Sequence, residues 1–309
     1  MQAGQQRAIE GPGHVDVAVL GAGAAGLTAA FLLTRAGYSV VLAERDGAVG
    51  GLARALGLAA PGFDSALPRP LARLAGAMAR AGQRAPAADF WSAARHAIEA
   101  SGLGLVLTGH GLRQLARGAD GRWRVALGRT PVLLSAGQVV SSVPLAQLAA
   151  RLQPLPAQLP AALGLELGDM ASVVVAMDLP EQQRVLRRAA RLALGAAHVR
   201  GWLGDVPGLA LDYRWLPGQP QPDPAPDLAA LGLAGAPIHA LLRHRRAWPL
   251  ASDAGPKALR EDIARLPGLH LVGARGQHLG LDLAGAMASA VAAVAAITAR
   301  PAALVRQAG

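Results

Sequence analysis

The 309-residue sequence predicts an α/β protein: a Rossmann-like nucleotide-binding domain with a discontinuous second domain. Three observations predict it. An apolar strand runs into a glycine-rich turn and a helix within residues 16–35. A second strand ends in an acid at Glu44. A further strand and an alanine-rich helix follow one another within residues 266–297.

Residues 1–13 are polar and glycine-bearing, and read as a disordered tail and not a signal peptide. Asp16 to Leu20 reads as a short apolar strand, followed directly by Gly21-Ala22-Gly23-Ala24-Ala25-Gly26 and an apolar helix to about Arg35. Gly21 permits the tight turn. Gly23, lacking a Cβ, lets a pyrophosphate approach the backbone, and Gly26 lets helix and strand pack closely. Ala24 and Ala25 begin the helix, whose free N–H groups and positive dipole end favour an anion. After Gly37, Ser39 to Ala43 form the second strand, and Glu44 stands at its end, eighteen residues beyond Gly26. A carboxylate there can accept the ribose hydroxyls of an adenosine, and it disfavours a 2′-phosphate.

The continuation Glu44-Arg45-Asp46-Gly47-Ala48-Val49-Gly50-Gly51-Leu52-Ala53-Arg54 resembles the flavin-containing amine oxidase superfamily, which includes protoporphyrinogen oxidases and phytoene desaturases. The resemblance implies that Gly50 and Gly51 bring the chain back over the FAD pyrophosphate, assisted by a nearby arginine, Arg54; Arg45, next to Glu44, counts with them among the expected cofactor-binding residues. Leu266-Pro267-Gly268-Leu269-His270-Leu271-Val272-Gly273-Ala274 is similar to the family's last FAD-domain strand. Leu281-Asp282-Leu283 and the helix after it resemble the family's closing helix, which points at the flavin ring; Asp282 also reads as a helix N-cap. Ala274 stands where the family often carries Asp or Asn. Residues 121–144 read as a β-hairpin and then a strand, Gln138 to Ser142, that returns to the FAD sheet.

The expected division follows from these blocks. Residues 14–51, 103–144 and 263–300 form the FAD-binding domain. Residues 52–102 and 145–262 form a cap shorter than its relatives have, and 301–309 a tail. The cap contains a strand-like run, Ala171 to Met177, an arginine-bearing helix, Glu181 to Leu194, and the proline-rich loop Pro217 to Pro226. A short cap implies a shallow apolar pocket over the flavin, or a second polypeptide or a second copy covering it.

Hydrophobic residues make up 52% and aromatics 3%, so Leu, Val and Ala must fill the core. One lysine, Lys257, stands against 29 arginines, a pattern of GC-rich bacterial coding. The net charge of +10 is spread over scattered arginines without aromatic interleaving, which argues against nucleic acid and leaves an anionic substrate or a peripheral membrane contact open. No cysteine means no cysteine-linked flavin, and the isolated histidines provide no metal site. The sequence therefore predicts a cytoplasmic flavoprotein that takes a hydride from a largely apolar small-molecule substrate. His278 and Arg275 are the candidates for substrate-facing polar groups. Lys257 is the sole candidate for the lysine of the simple amine oxidases. The alternative reading is a FAD-binding remnant that serves as a non-catalytic subunit or regulatory module of a larger complex.

Overall fold

Strand β1 (Gly13–Leu20) organises the first layer because both of its faces are apolar. Val17 and Val19 point to one side and Ala18 and Leu20 to the other, and each side has its own buried core. The computed structural model describes residues 13–56, 67–82, 89–157, 165, 167–203, 206–249 and 254–299. In chain order β1 is followed by α1 (Ala24–Arg35), β2 (Val40–Ala43), α2 (Gly51–Ala55), α3 (Arg69–Gly82), α4 (Phe90–Glu99) and β3 (Gly104–Leu107). Next come β4 (Leu112–Arg117), β5 (Trp123–Leu127), β6 (Val132–Ser141), α5 (Leu145–Ala149), β7 (Leu152–Gln153) and β8 (Leu167–Ala176). The chain continues through α6 (Leu179–Ala189), β9 (His198–Leu203), β10 (Pro207–Trp215), α7 (Ala225–Ala230) and β11 (Ile238–Pro249). It ends with α8 (Ala254–Ala264), β12 (Leu269–Leu271), α9 (Gly273–Gln277) and α10 (Leu283–Thr298).

The first sheet has the order β3-β2-β1-β6-β5-β4-β7, with β12 beside β6. Strands β1, β2, β3, β6 and β12 run parallel, the Rossmann-like core that the sequence predicts. The predicted hairpin and return strand are one feature. The first half of β6 pairs antiparallel with β5, and its end, Val139–Ser141, pairs with β12. A ten-residue strand can therefore belong to the antiparallel and the parallel part of one sheet.

On one side of this sheet, α1, α3, α4 and α10 bury Phe31, Met78, Trp91, Ile98 and Met287. Helices α3 and α4 fall in the stretch 52–102 that the sequence division gives to the cap, yet they pack in the core of the first sheet. Their contact is close because a Cβ on Gly82 would overlap the backbone of Ala93. On the other side, α5 and α8 place Leu145, Leu148, Leu259 and Ile263 against the antiparallel strands.

The second sheet is antiparallel, in the order β11-β8-β10-β9. Strand β8 contains all but the last residue of the predicted run 171–177, and α6 most of the predicted arginine-bearing helix. Asp178 caps α6 by accepting from the Glu181 N–H at 2.7 Å. One face of this sheet packs Val173, Val175, Leu209, Leu211 and Tyr213 under α6 and α7. Opposite them, Val174, Trp202 and Ala210 form a smaller buried group, and Met170 packs with Leu56 and Ala247.

Candidate functional site

A cavity opens at the carboxyl ends of β1 and β2, where an open parallel sheet with helical crossovers offers its natural crevice. The turn after β1 lies along it. Gly21 has φ 95° and its Cβ would overlap the Ser142 side chain, whose hydroxyl donates to the carbonyls of Leu20 and Gly21 at 3.1 and 3.2 Å. Gly26 faces away from the cavity, and a Cβ there would overlap the Gly21 carbonyl. Gly23 differs from both. It lines the cavity, caps α1, and a Cβ on it would meet nothing within 4 Å. Thus Gly21 and Gly26 are required by the protein's own packing, whereas Gly23 leaves open space at a helix N-terminus.

The second glycine pair closes over this turn. The Gly50 N–H donates to the Ala22 carbonyl at 2.7 Å, and Gly23 and Gly50 form an isolated parallel bridge. Gly50 has φ 99° and a Cβ on it would lie 2.7 Å from the Trp91 ring; one on Gly51 would lie 3.3 Å from the Gly23 Cα. Both glycines, with Ala24, Ala25, Leu52 and Ala53, line the cavity.

Glu44, 9% exposed, stands on the wall at the end of β2. Its Oε2 accepts from the Ala22 N–H at 2.7 Å and its Oε1 from the Asp46 N–H at 2.9 Å. Arg45 also lines the cavity, and its Nε lies 3.3 Å from Asp46 Oδ1. Arg54, the arginine suggested by the resemblance, is not among the lining residues. Its Nη2 pairs with Asp89 Oδ2 at 3.0 Å and ties α2 to the capping residue of α4.

The C-terminal block supplies the opposite wall with Gly273, Ala274, Arg275, Leu281, Asp282 and Leu283. Gly273 has φ 73°, and its N–H donates to the Ser289 hydroxyl of α10 at 2.8 Å. Asp282 is the N-cap of α10, accepting from the Gly285 N–H at 2.7 Å.

Arg275 and His278 part company. Arg275 stands on the cavity wall, and the charges that act on it are those of Arg45, Glu44 and Asp46. Burial first, then Arg45, holds its pKa below the usual arginine value, against the two carboxylates. Among the described residues no hydrogen bond or ion pair occupies its guanidinium. His278 is 7% exposed, closes α9 at φ 50° and is not among the lining residues. Lys257 lies on α8 with its side chain 70% exposed, 4.0 Å from Glu261 and away from the cavity wall.

Sequence reasoning did not find Gln147 and Arg151, which line the cavity from α5 and the turn after it. Arg151 donates to the carbonyls of Leu112 and Gln147, both at 2.8 Å, a position set by tertiary packing without a local motif.

The family model described as FAD dependent oxidoreductase matches residues 16–206, more than half of the chain. The chain belongs to this family. Its cofactor is FAD, and it is an FAD-dependent oxidoreductase enzyme. No curated protein sequence matches it. Among solved structures, wild-type putrescine oxidase bound to putrescine is similar with a TM-score of 0.56 at 15% identity, over 93% of this chain and 99% of that one. An oxidoreductase from Methanosarcina mazei is similar with a TM-score of 0.51 at 12% identity, over 90% of this chain and 99% of that one. The p-nitrophenol 4-monooxygenase of Pseudomonas putida DLL-E4 is similar with a TM-score of 0.50 at 15% identity, over 93% and 81%. These likenesses are of fold. Among the described residues no helix is long and apolar enough to cross a membrane.

Proposed function

We propose that this FAD-dependent oxidoreductase holds FAD along the cavity described above and oxidises a C–N or C–C bond of a largely apolar substrate, in the manner of protoporphyrinogen oxidases. The observation that carries this reading is Gly23, whose missing side chain leaves open space at the N-terminus of α1 with the Glu44 carboxylate on the same wall. The pyrophosphate would lie against Gly23, Gly50 and Gly51, with the adenosine ribose toward Glu44. Arg45 and Arg275 would neutralise its charge. An arginine on this wall offsets the absence of a polar residue at Ala274.

Bound flavin supplies a two-electron acceptor for the substrate C–H bond. The chain's own part is positioning and electrostatics. The N-terminus of α10, capped by Asp282, presents a positive dipole end to the cavity from Leu281 to Leu283. Leu52, Leu56, Ala247 and Trp248 give the wall next to the second sheet an apolar surface suited to excluding water. The position of Lys257 supports the protoporphyrinogen-oxidase type over the simple amine oxidases. The second sheet, residues 167–249, would act as the cap, with a partner or second copy completing it if it does not close alone.

The visible absorbance spectrum of the purified or FAD-loaded protein, followed by anaerobic addition of apolar amines, polyenes and reduced tetrapyrroles, tests the reading. Bleaching of the flavin band by one class identifies the substrate. Full occupancy with no bleaching by any of them would refute the assignment.

A further inference from the structure

Helix α2 is five residues long, too short to hold its shape unless other parts of the fold fix it. Its N-terminal end is the glycine pair of the cofactor turn. Gly50 and Gly51 have φ 99° and 51°, and the Gly50 N–H is tied to the Ala22 carbonyl. Its C-terminal end, about 7.5 Å away at the rise of a helix, rests on the second sheet. Leu52 and Leu56 pack there against Met170 of β8 and Ala247 of β11. The Leu56 carbonyl accepts from Arg200 Nη2 of β9 at 3.0 Å. Carbonyls at the end of a helix have no partner within it, so a donor from elsewhere must take them up. The ion pair of Arg54 with Asp89 ties α2 to the first layer, but its arginine side chain is 38% exposed, and water weakens such a pair.

The reach of Arg200 is set by three strands. The register puts Ser172 of β8 directly opposite Asp212 of β10, and Arg200 of β9 opposite Ala210, two residues away on the same face. Asp212, 3% exposed, accepts from Arg200 Nε at 2.8 Å and Nη2 at 3.2 Å, a two-pronged contact that fixes the plane of the guanidinium. Asp212 also accepts from the Ser172 hydroxyl. Strand β11 acts on the same end of α2: burial lowers the His244 pKa, and a hydrogen bond to the Ala55 backbone opposes that. Arg200, Asp212 and His244 all lie off the cavity wall, so any effect they have on the cavity passes through α2.

In little more than one turn of helix the two ends cannot move separately. A shift of Leu56 away from the second sheet carries Gly51 with it, and Gly51 stands so close to the cofactor turn that a Cβ on it would lie 3.3 Å from the Gly23 Cα.

We propose that Arg200 is a positioning residue for the cofactor: held by Asp212 and Ser172, it clamps the end of α2 and keeps Gly50 and Gly51 closed over the turn at Gly23. The second sheet, besides covering the cavity, thereby takes part in holding FAD. Linkage makes the effect mutual, so a docked second sheet that tightens FAD is itself steadied by FAD to the same degree. This rests on the reading of the cavity as the FAD site.

Amide hydrogen exchange of the full chain with and without FAD, together with the FAD dissociation constant, tests it. FAD is expected to slow exchange at residues 21–26 and 50–56, and also at 198–203 and 207–215 on β9 and β10, which lie off the cavity wall. The variant is Arg200→Met combined with Asp212→Asn, which leaves no buried carboxylate alone. It should bind FAD about tenfold more weakly, the order of one charge-assisted hydrogen bond, and lose the FAD-dependent protection of β9 and β10 while keeping that of residues 21–26. Arg200→Lys, which keeps the charge without the two-pronged geometry, should fall between. A merely structural Arg200 would lower the melting temperature and leave the FAD dissociation constant and the exchange pattern unchanged. That result, or wild-type protection confined to residues 21–26 and 50–56, would overturn the proposal. If the double variant does not fold, the wild-type exchange pattern and Arg200→Lys decide. A chain that takes up no FAD would refute the cofactor reading itself, whereas protection by FAD that stops at α2 would refute the coupling alone.

Discussion

Glu44 Oε2 accepts a hydrogen bond from the Ala22 N–H at 2.7 Å, which joins the end of β2 to the middle of the glycine-rich turn. Its other oxygen accepts from the Asp46 N–H. The residue read from sequence as a ribose ligand is therefore also a brace for the turn that receives the phosphates. Each oxygen keeps further lone pairs for hydroxyl donors. Replacing Glu44 by Gln removes the charge and one acceptor. Titration of the apo-protein should show FAD affinity falling by about 1.5–3 kcal/mol. An unchanged dissociation constant would place the ribose elsewhere.

Arg275 is the second cation of the cavity wall. If it neutralises the pyrophosphate, Arg275→Met should weaken FAD by about 1.5–3 kcal/mol and leave riboflavin, which has no phosphate, unaffected. Raising the salt concentration should weaken FAD binding more in the wild type than in the variant. Equal losses for FAD and riboflavin would place Arg275 against the flavin ring instead.

Tyr213 couples the second sheet to α7. Its hydroxyl donates to Asp227 Oδ2 at 2.9 Å, and Asp227 also accepts from the N–H groups of Gly195 and Ala196 at 2.9 and 2.7 Å. Burial and then the Asp227 carboxylate push the Tyr213 pKa well above its ordinary 10.0. A folded-state pKa above the unfolded one means that the protonated phenol stabilises the fold. That stability is whole below about pH 10 and declines as the pH rises further. Thermal melts from pH 8 to 11 should show this decline, and Tyr213→Phe should flatten it at a cost of about 1–3 kcal/mol at neutral pH. A decline of the same steepness in Tyr213→Phe would assign it to another group.

The cofactor end of the molecule was legible because it is local. The strand, turn, helix and acid of residues 16–44 lie in one stretch, and Gly26 answers to Gly21 five residues before it, whereas the contact of Gly21 with Ser142 comes from a distant segment. The capping role of Asp282 was legible for the same reason. What could not be read depends on contacts between distant segments. Helices α3 and α4 look like cap material until Gly82 meets Ala93 and Trp91 reaches Gly50. Arg54 looks free until Asp89 is seen beside it. The cluster around Asp212 exists only once the register of β8, β9 and β10 aligns residues 12 and 40 positions apart. Arg275 and His278, three residues apart in sequence, separate because the left-handed turn at His278 buries one while the other stays on the wall.

The central claim is that the cavity at Gly23 holds the FAD, and the flavin content of the Gly23→Val protein tests it most directly. The valine would project into open space, so circular dichroism should match the wild type, whereas Gly26→Val, whose side chain would overlap the Gly21 carbonyl, should lose its fold. Absorbance at the flavin band after loading with excess FAD and desalting should give about one FAD per chain for the wild type and essentially none for a folded Gly23→Val. Full occupancy in folded Gly23→Val would contradict the account.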